Sequence, residues 1–148
     1  MAVRICLSDA GLSSGTWRRC EATAFTYSAS SYAADDVSTQ RTFAVTVANA
    51  GNQLGIVLTF KVLSNASGTL TIKLQNAAGT TTYTTDTFDV AGTFSPQQSG
   101  YEFHSEVRYF PLTSYAMLAG AGNYRYAISC NVAGRISLVR STTAGAYF

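Results

Sequence analysis

The sequence predicts an all-β domain, an antiparallel two-sheet β-sandwich of jelly-roll type with about eight strands. Three observations lead there. Apolar and polar residues alternate with a period of two through most of the chain, the mark of half-buried strands. Clusters of Gly, Asn, Ser and Ala punctuate the alternating runs where turns are needed. No segment sustains the periodicity of an amphipathic helix.

Taken in order, Val3 to Leu7 and Cys20 to Tyr27 read as the first strands. Between them lies Ser8 to Arg19, a Ser/Gly-rich connection carrying the single tryptophan, Trp17. Ser28 to Gln40 holds Tyr32, Asp35 and Asp36 amid small residues and falls outside the alternation, so residues 8–41 are loop-rich. Thr42 to Ala48 puts Phe43, Val45 and Val47 on one face. Ile56 to Leu63 puts Ile56, Leu58, Phe60 and Val62 on one face, with Thr59 and Lys61 opposite. Leu70, Ile72 and Leu74 then alternate with Thr69, Thr71, Lys73 and Gln75, and the turn cluster Ser64 to Gly68 predicts a hairpin joining these two strands.

Asn76 to Gly79 turns the chain into a Thr-rich strand ending at Phe88-Asp89-Val90. From Tyr101 to Phe110, Tyr101, Phe103, Val107 and Tyr109 share one face, while Glu102, His104, Glu106 and Arg108 share the other. Thr113 or Ser114 offers a cap for a short helical turn over 114–118. Tyr124, Tyr126, Ile128 and Cys130 alternate again, and Val132-Ala133-Gly134 leads into Ile136 and Leu138. The last stretch, 141–148, is a small, flexible tail that ends in Tyr147 and Phe148. Strand order is not readable from one sequence, and an immunoglobulin-like order is the alternative.

With 148 residues and no dividing linker, residues 1–148 form one domain able to bury a normal core. Charge is the anomaly: Asp, Glu, Lys and Arg make up 12% of the chain, against about a quarter in typical soluble domains. Only two lysines occur, Lys61 and Lys73. Lys, Glu and Asp are depleted where surfaces are buried between proteins, so much of this surface is expected to be covered by neighbours. The alternative is a neutral monomer coated with Ser and Thr.

The net charge is +2, and the arginines are dispersed apart from the adjacent Arg18 and Arg19, so no basic patch for nucleic acid is legible. No apolar run reaches the length of a membrane-spanning helix, and the first residues are too poor in apolar side chains for a secretory signal. Three cysteines, Cys6, Cys20 and Cys130, leave at least one unpaired, which fits reduced, buried thiols made in a cytoplasm. A Cys6–Cys20 bridge would leave the fold unchanged. The sequon Asn65-Ala66-Ser67 lacks a secretory context and carries no weight.

The first candidates for chemistry are Glu102, His104 and Glu106, which a strand would line up on one face. Two carboxylates and an imidazole are metal ligands or acid–base groups by type. Their spacing defeats them, because the outer two sit about 13 Å apart along a strand. Arg108 continues the same face, so the set reads as an exposed polar stripe with cross-strand salt bridges. No second histidine exists, and no nucleophile elbow supports a Ser-His-Asp arrangement around His104. Asp35, Asp36, Asp86 and Asp89 are suited to calcium by type, yet no EF-hand pattern surrounds them and solvated loop acids are the expectation. The chain is therefore read as non-enzymatic, without catalytic residue, metal or cofactor.

Aromatic rings are the remaining resource. Trp17, Tyr32, Tyr147 and Phe148 are the interaction candidates, able to anchor a protein interface or to stack on a sugar. The run IVLTFKVLSNASGTLTIKLQ, with GNYRYAISCN and GRISLVRS, resembles the strand–turn rhythm of jelly-roll modules, over roughly residues 42–140. That rhythm is similar to the one in carbohydrate-binding modules and in accessory capsid and tail proteins of tailed phages. The resemblance to virion decoration or cement proteins implies a lattice stabiliser. It would be placed in the virion, be assembled in the host cytoplasm, contact a major capsid or tail protein, and form a homo-oligomer without nucleic acid or membrane. A carbohydrate-binding module with a glycan partner is the second reading, and a small hydrolase using His104 as base the third.

Overall fold

The structure, a computed structural model, describes residues 4–8, 21–22, 32–47, 51–63, 65–95, 103–117 and 122–141. Within them lie β1 (Arg4–Ser8), β2 (Glu21–Ala22), β3 (Tyr32–Asp36), β4 (Arg41–Val47), β5 (Gly51–Leu63), β6 (Thr69–Asn76) and β7 (Thr82–Asp89). A single-turn helix, α1 (Val90–Thr93), then precedes β8 (Phe103–Met117), β9 (Gly122–Cys130) and β10 (Ile136–Ser141).

Pairing among the last eight strands is nested. β3 pairs with β10, β4 with β9, β5 with β8 and β6 with β7, all antiparallel. Alternate pairs fall into alternate layers, giving β3-β10-β5-β8 in one sheet and β4-β9-β6-β7 in the other. That is the jelly roll. β1 and β2 extend the first sheet, because β5 is long enough to share one edge between β1 near Ile56 and β10 near Phe60.

The core forms where the two inner faces meet. Ile56, Leu58, Phe60 and Val62 of β5 and Ile136 and Leu138 of β10 face Leu70, Ile72 and Leu74 of β6 and Tyr126, Ile128 and Cys130 of β9. The alternation predicted for each of these strands is thus the alternation observed. Phe60 packs edge-on against Phe94 and Phe110, with ring centroids 5.3 Å and 5.7 Å apart. Cys130 is a free, buried thiol.

Four expectations are corrected. Ser64 to Gly68 does not close a hairpin: β5 hydrogen-bonds β1, β8 and β10, while β6 bonds β7 and β9 in the other sheet. Each of these two strands carries a fully buried alternate face, and a corner that lets the faces oppose one another buries both. Asn65 at φ 57° and Gly68 at φ 110° supply the left-handed residues of that corner. The helical turn expected over 114–118 is strand through Met117, since Tyr115 and Ala116 find ladder partners in Gln53 and Asn52.

The segment Tyr32–Asp36, read as loop, is β3, held by its backbone against β10 from Tyr32↔Ser141 to Asp36↔Ser137. Its run of alanines and aspartates left no alternation to read. β8, too, departs from expectation: its polar residues His104, Glu106 and Arg108 turn inward and its apolar Phe103, Val107 and Tyr109 outward.

Candidate functional site

Among the described residues β8 is the outermost strand of its sheet on the β5 side. Its register, Phe110 opposite Ile56 and Glu106 opposite Phe60, turns the even-numbered residues to the inner side, because directly opposed residues share a face. Phe110 and Leu112 are buried there. His104, Glu106 and Arg108 follow on the same side, so the polar stripe is not an exposed outer surface. It lines the margin of the sandwich, beside Ser95 just after α1.

Glu106 is the centre of this margin, with its side chain 13% exposed. Its carboxylate accepts from the Ser95 amide at 3.0 Å and the Ser95 hydroxyl at 3.1 Å, and lies 3.1 Å from His104 Nε2. Arg108 forms an ion pair with the same carboxylate and donates to Ser95 Oγ at 3.0 Å. Burial pushes the Glu106 carboxyl up, but the donors of Ser95, His104 and Arg108 outweigh it and hold it below its ordinary value. The pairs run along the strand rather than across it, because residues two apart share a face.

Chemically this is a tie between β8 and the chain leaving α1. The Ser95 hydroxyl donates to Glu106 and accepts from Arg108, whereas a hydrolytic relay needs serine on the imidazole. Among the described residues no group of three His, Cys, Asp or Glu side chains is placed to hold a metal. Glu102 lies outside the described residues. Asp86 accepts from the Thr113 amide and hydroxyl and from Thr84, tying β7 to β8 further along the strand. Asp89 caps α1 through Gly92 N, and Asp36 accepts from Ser38 N and Gly134 N. The amide donors, first that of Ser38, hold Asp36 below its ordinary value against a smaller opposing effect of burial. These acids are structural ties.

The outer face of β8 is the reverse of what its polarity suggests. Phe103, Val107 and Tyr109 are 47%, 40% and 48% exposed. Lys61, one of the two lysines, holds its ammonium 3.8 Å from the Phe103 ring centre. Tyr109 leans over β5, its hydroxyl donating to the Leu54 carbonyl at 3.2 Å. Its ring occupies the space a β-carbon on Gly55 would take, so the glycine makes room for this posture. The result is an oriented apolar strip beside a strand edge to which, among the described residues, no other strand is paired.

Of the interaction candidates, Trp17, Tyr147 and Phe148 lie outside the described residues. Tyr32 begins β3, where its backbone pairs with Ser141. Cys6 falls in β1, and Cys20 lies outside the described residues. Sequence reasoning misses the outward strip on β8 because it ends the strand at Phe110. Phe110 already falls in phase with His104, Glu106 and Arg108, and Leu112, two residues further on, continues that phase, which is the available signal. Comparison with protein-family models, with curated proteins and with solved structures returns no match.

Proposed function

We propose that this protein is a non-enzymatic structural component of a virion, a capsid decoration or cement protein or a tail accessory protein, working through protein–protein contacts. The observation that carries the reading is the outward face of β8, where two aromatic rings and a valine stand exposed beside an edge unpaired among the described residues. Jelly rolls serve viral capsids, lectins and enzymes alike, so the fold narrows nothing by itself and the reading is supported by the surface. Aromatic enrichment with few Lys, Glu and Asp is the composition of an interface core. Covering this strip releases about 25 cal/mol for each square ångström of apolar area, before the costs of association.

The test is mass spectrometry of gradient-purified particles from cells that carry the gene. The chain is expected in the particle fraction at a copy number matching a symmetric lattice or tail ring. Recovery in the soluble fraction alone overturns the proposal. Glycan binding is the second reading, favoured by the fixed posture of Tyr109 over Gly55, which holds one ring as a platform. A glycan array with no retained sugar, or one whose signal survives Tyr109→Ala, removes it.

A further inference from the structure

We infer that two copies of this chain join edge to edge through β8, antiparallel, with Val107 on the two-fold axis. The inference rests on reading this face as a protein contact surface, and it names the partner as a second copy.

An unpaired strand edge presents main-chain donors and acceptors to any strand that fits. β8 is 15 residues long and, among the described residues, pairs with β5 alone, from Gly51 to Leu63. What selects a partner for the other side is the order of residues around Val107, which reads Phe103-His104-Ser105-Glu106-Val107-Arg108-Tyr109-Phe110-Pro111. A two-fold axis through Val107, perpendicular to the sheet, keeps the outer face outer in both copies. It sets 106 opposite 108, 105 opposite 109 and 103 opposite 111.

On the inner side, Glu106 then meets Arg108 of the second copy, and the symmetry makes that contact twice. The neighbouring registers are penalised. An axis through residue 106 sets glutamate against glutamate, and an axis through 108 sets arginine against arginine, both destabilising when directly opposed. Arg108 is 39% exposed and has room to face a second carboxylate. Inward charges on an edge strand commonly guard against indiscriminate pairing. Here their order permits one register and opposes those beside it.

The outer side agrees with this register. Val107 meets Val107, Ser105 meets Tyr109, and Phe103 meets Pro111, and all five residues are exposed in the single chain. Pro111 has no N–H to donate, so it ends the ladder at both extremities and confines it to a stretch of about 30 Å. The merged sheet would carry one continuous apolar strip formed from two half-strips.

The experiment is site-directed disulfide trapping on the full chain, with wild type as the thiol background. Val107→Cys is expected to crosslink to itself, because opposed β-carbons come within reach of a disulfide. Ser105→Cys and Tyr109→Cys are each expected to stay uncrosslinked alone and to crosslink when mixed. In sedimentation, Val107→Lys is expected to raise the dimer dissociation constant by about a hundredfold or more, since two ammonium groups would face each other. Circular dichroism checks that this exposed substitution leaves the fold intact. A wild type that sediments as a monomer at every concentration overturns the inference, as does a dimer that is indifferent to Val107→Lys and is not trapped by Val107→Cys. A monomeric wild type recovered on particles would overturn the dimer and leave the virion reading standing. A trapped dimer absent from every particle would do the reverse.

Discussion

β6 turns Leu70, Ile72 and Leu74 into the core and leaves Thr71 and Lys73 on the outside, whereas β8 turns His104, Glu106 and Arg108 inward and Phe103, Val107 and Tyr109 outward. Both strands alternate, β6 from Thr69 to Leu74 and β8 from Phe103 to Thr113. The difference lies in their positions. β6 sits between β7 and β9, so its inner face is covered over its whole length and an ionised group there would lose its water. β8 lies at a margin where Ser95 and its own neighbours supply donors to Glu106, so an inward carboxylate is satisfied. Alternation therefore defines two faces, and location in the sheet decides which one is hidden.

The sharpest way to break that comparison uses two phenylalanines of one strand. Phe110→Ala removes a fully buried ring that meets Phe60, Phe88 and Phe94, and is expected to cost about 3–5 kcal/mol in chemical denaturation. Its outward counterpart, Phe103→Ser, is expected to change stability by about 0.5 kcal/mol or less while weakening self-association. Similar losses at both positions would show that β8 has no outer face.

Glu106→Gln probes the margin between those extremes. It leaves donors of Ser95 and Arg108 without their carboxylate and is expected to cost about 1–3 kcal/mol at neutral pH. The folded carboxyl titrates below its ordinary value of 4.5, so its contribution is complete above that pH. The contribution disappears as acid carries the folded group through its own lower pKa. Denaturation midpoints of the wild type should thus fall more steeply than those of Glu106→Gln as pH drops below the ordinary carboxylate range. Parallel curves would mean that the carboxylate is not held as described.

Gly79→Ala tests the turn before β7 at about 1 kcal/mol. Gly79 sits at φ 74°, and a β-carbon there meets the Arg125 guanidinium, which donates to Gln75 Oε1 at 2.9 Å. A neutral result would show that neither the left-handed backbone nor the crowding against Arg125 costs stability there.

Much of the fold was legible beforehand. Ile56 to Val62, Leu70 to Leu74 and Tyr126 to Cys130 carry bulky side chains at every second position, and burial of that face is the only arrangement that satisfies them. β3 was not legible, because Tyr32-Ala33-Ala34-Asp35-Asp36 has no such pattern and is a strand through its ladder with β10. The turn at Ser64 to Gly68 was visible as a turn but not as a corner between layers, since turn residues report local backbone and not the sheet to which the next strand belongs. The exposed strip is half legible: alternation groups Phe103, Val107 and Tyr109 on one face, but which face is covered is not written in the strand.

By itself the sequence determined the class of structure, the core strands and the scarcity of charge, because these follow from side-chain chemistry and a period of two. Tertiary structure alone decided the nesting of pairs, the inward turn of His104, Glu106 and Arg108, and the outward turn of Phe103, Val107 and Tyr109. The reason is physical. Which face of a strand is buried depends on what lies across from it, and here that is supplied by residues far away along the chain.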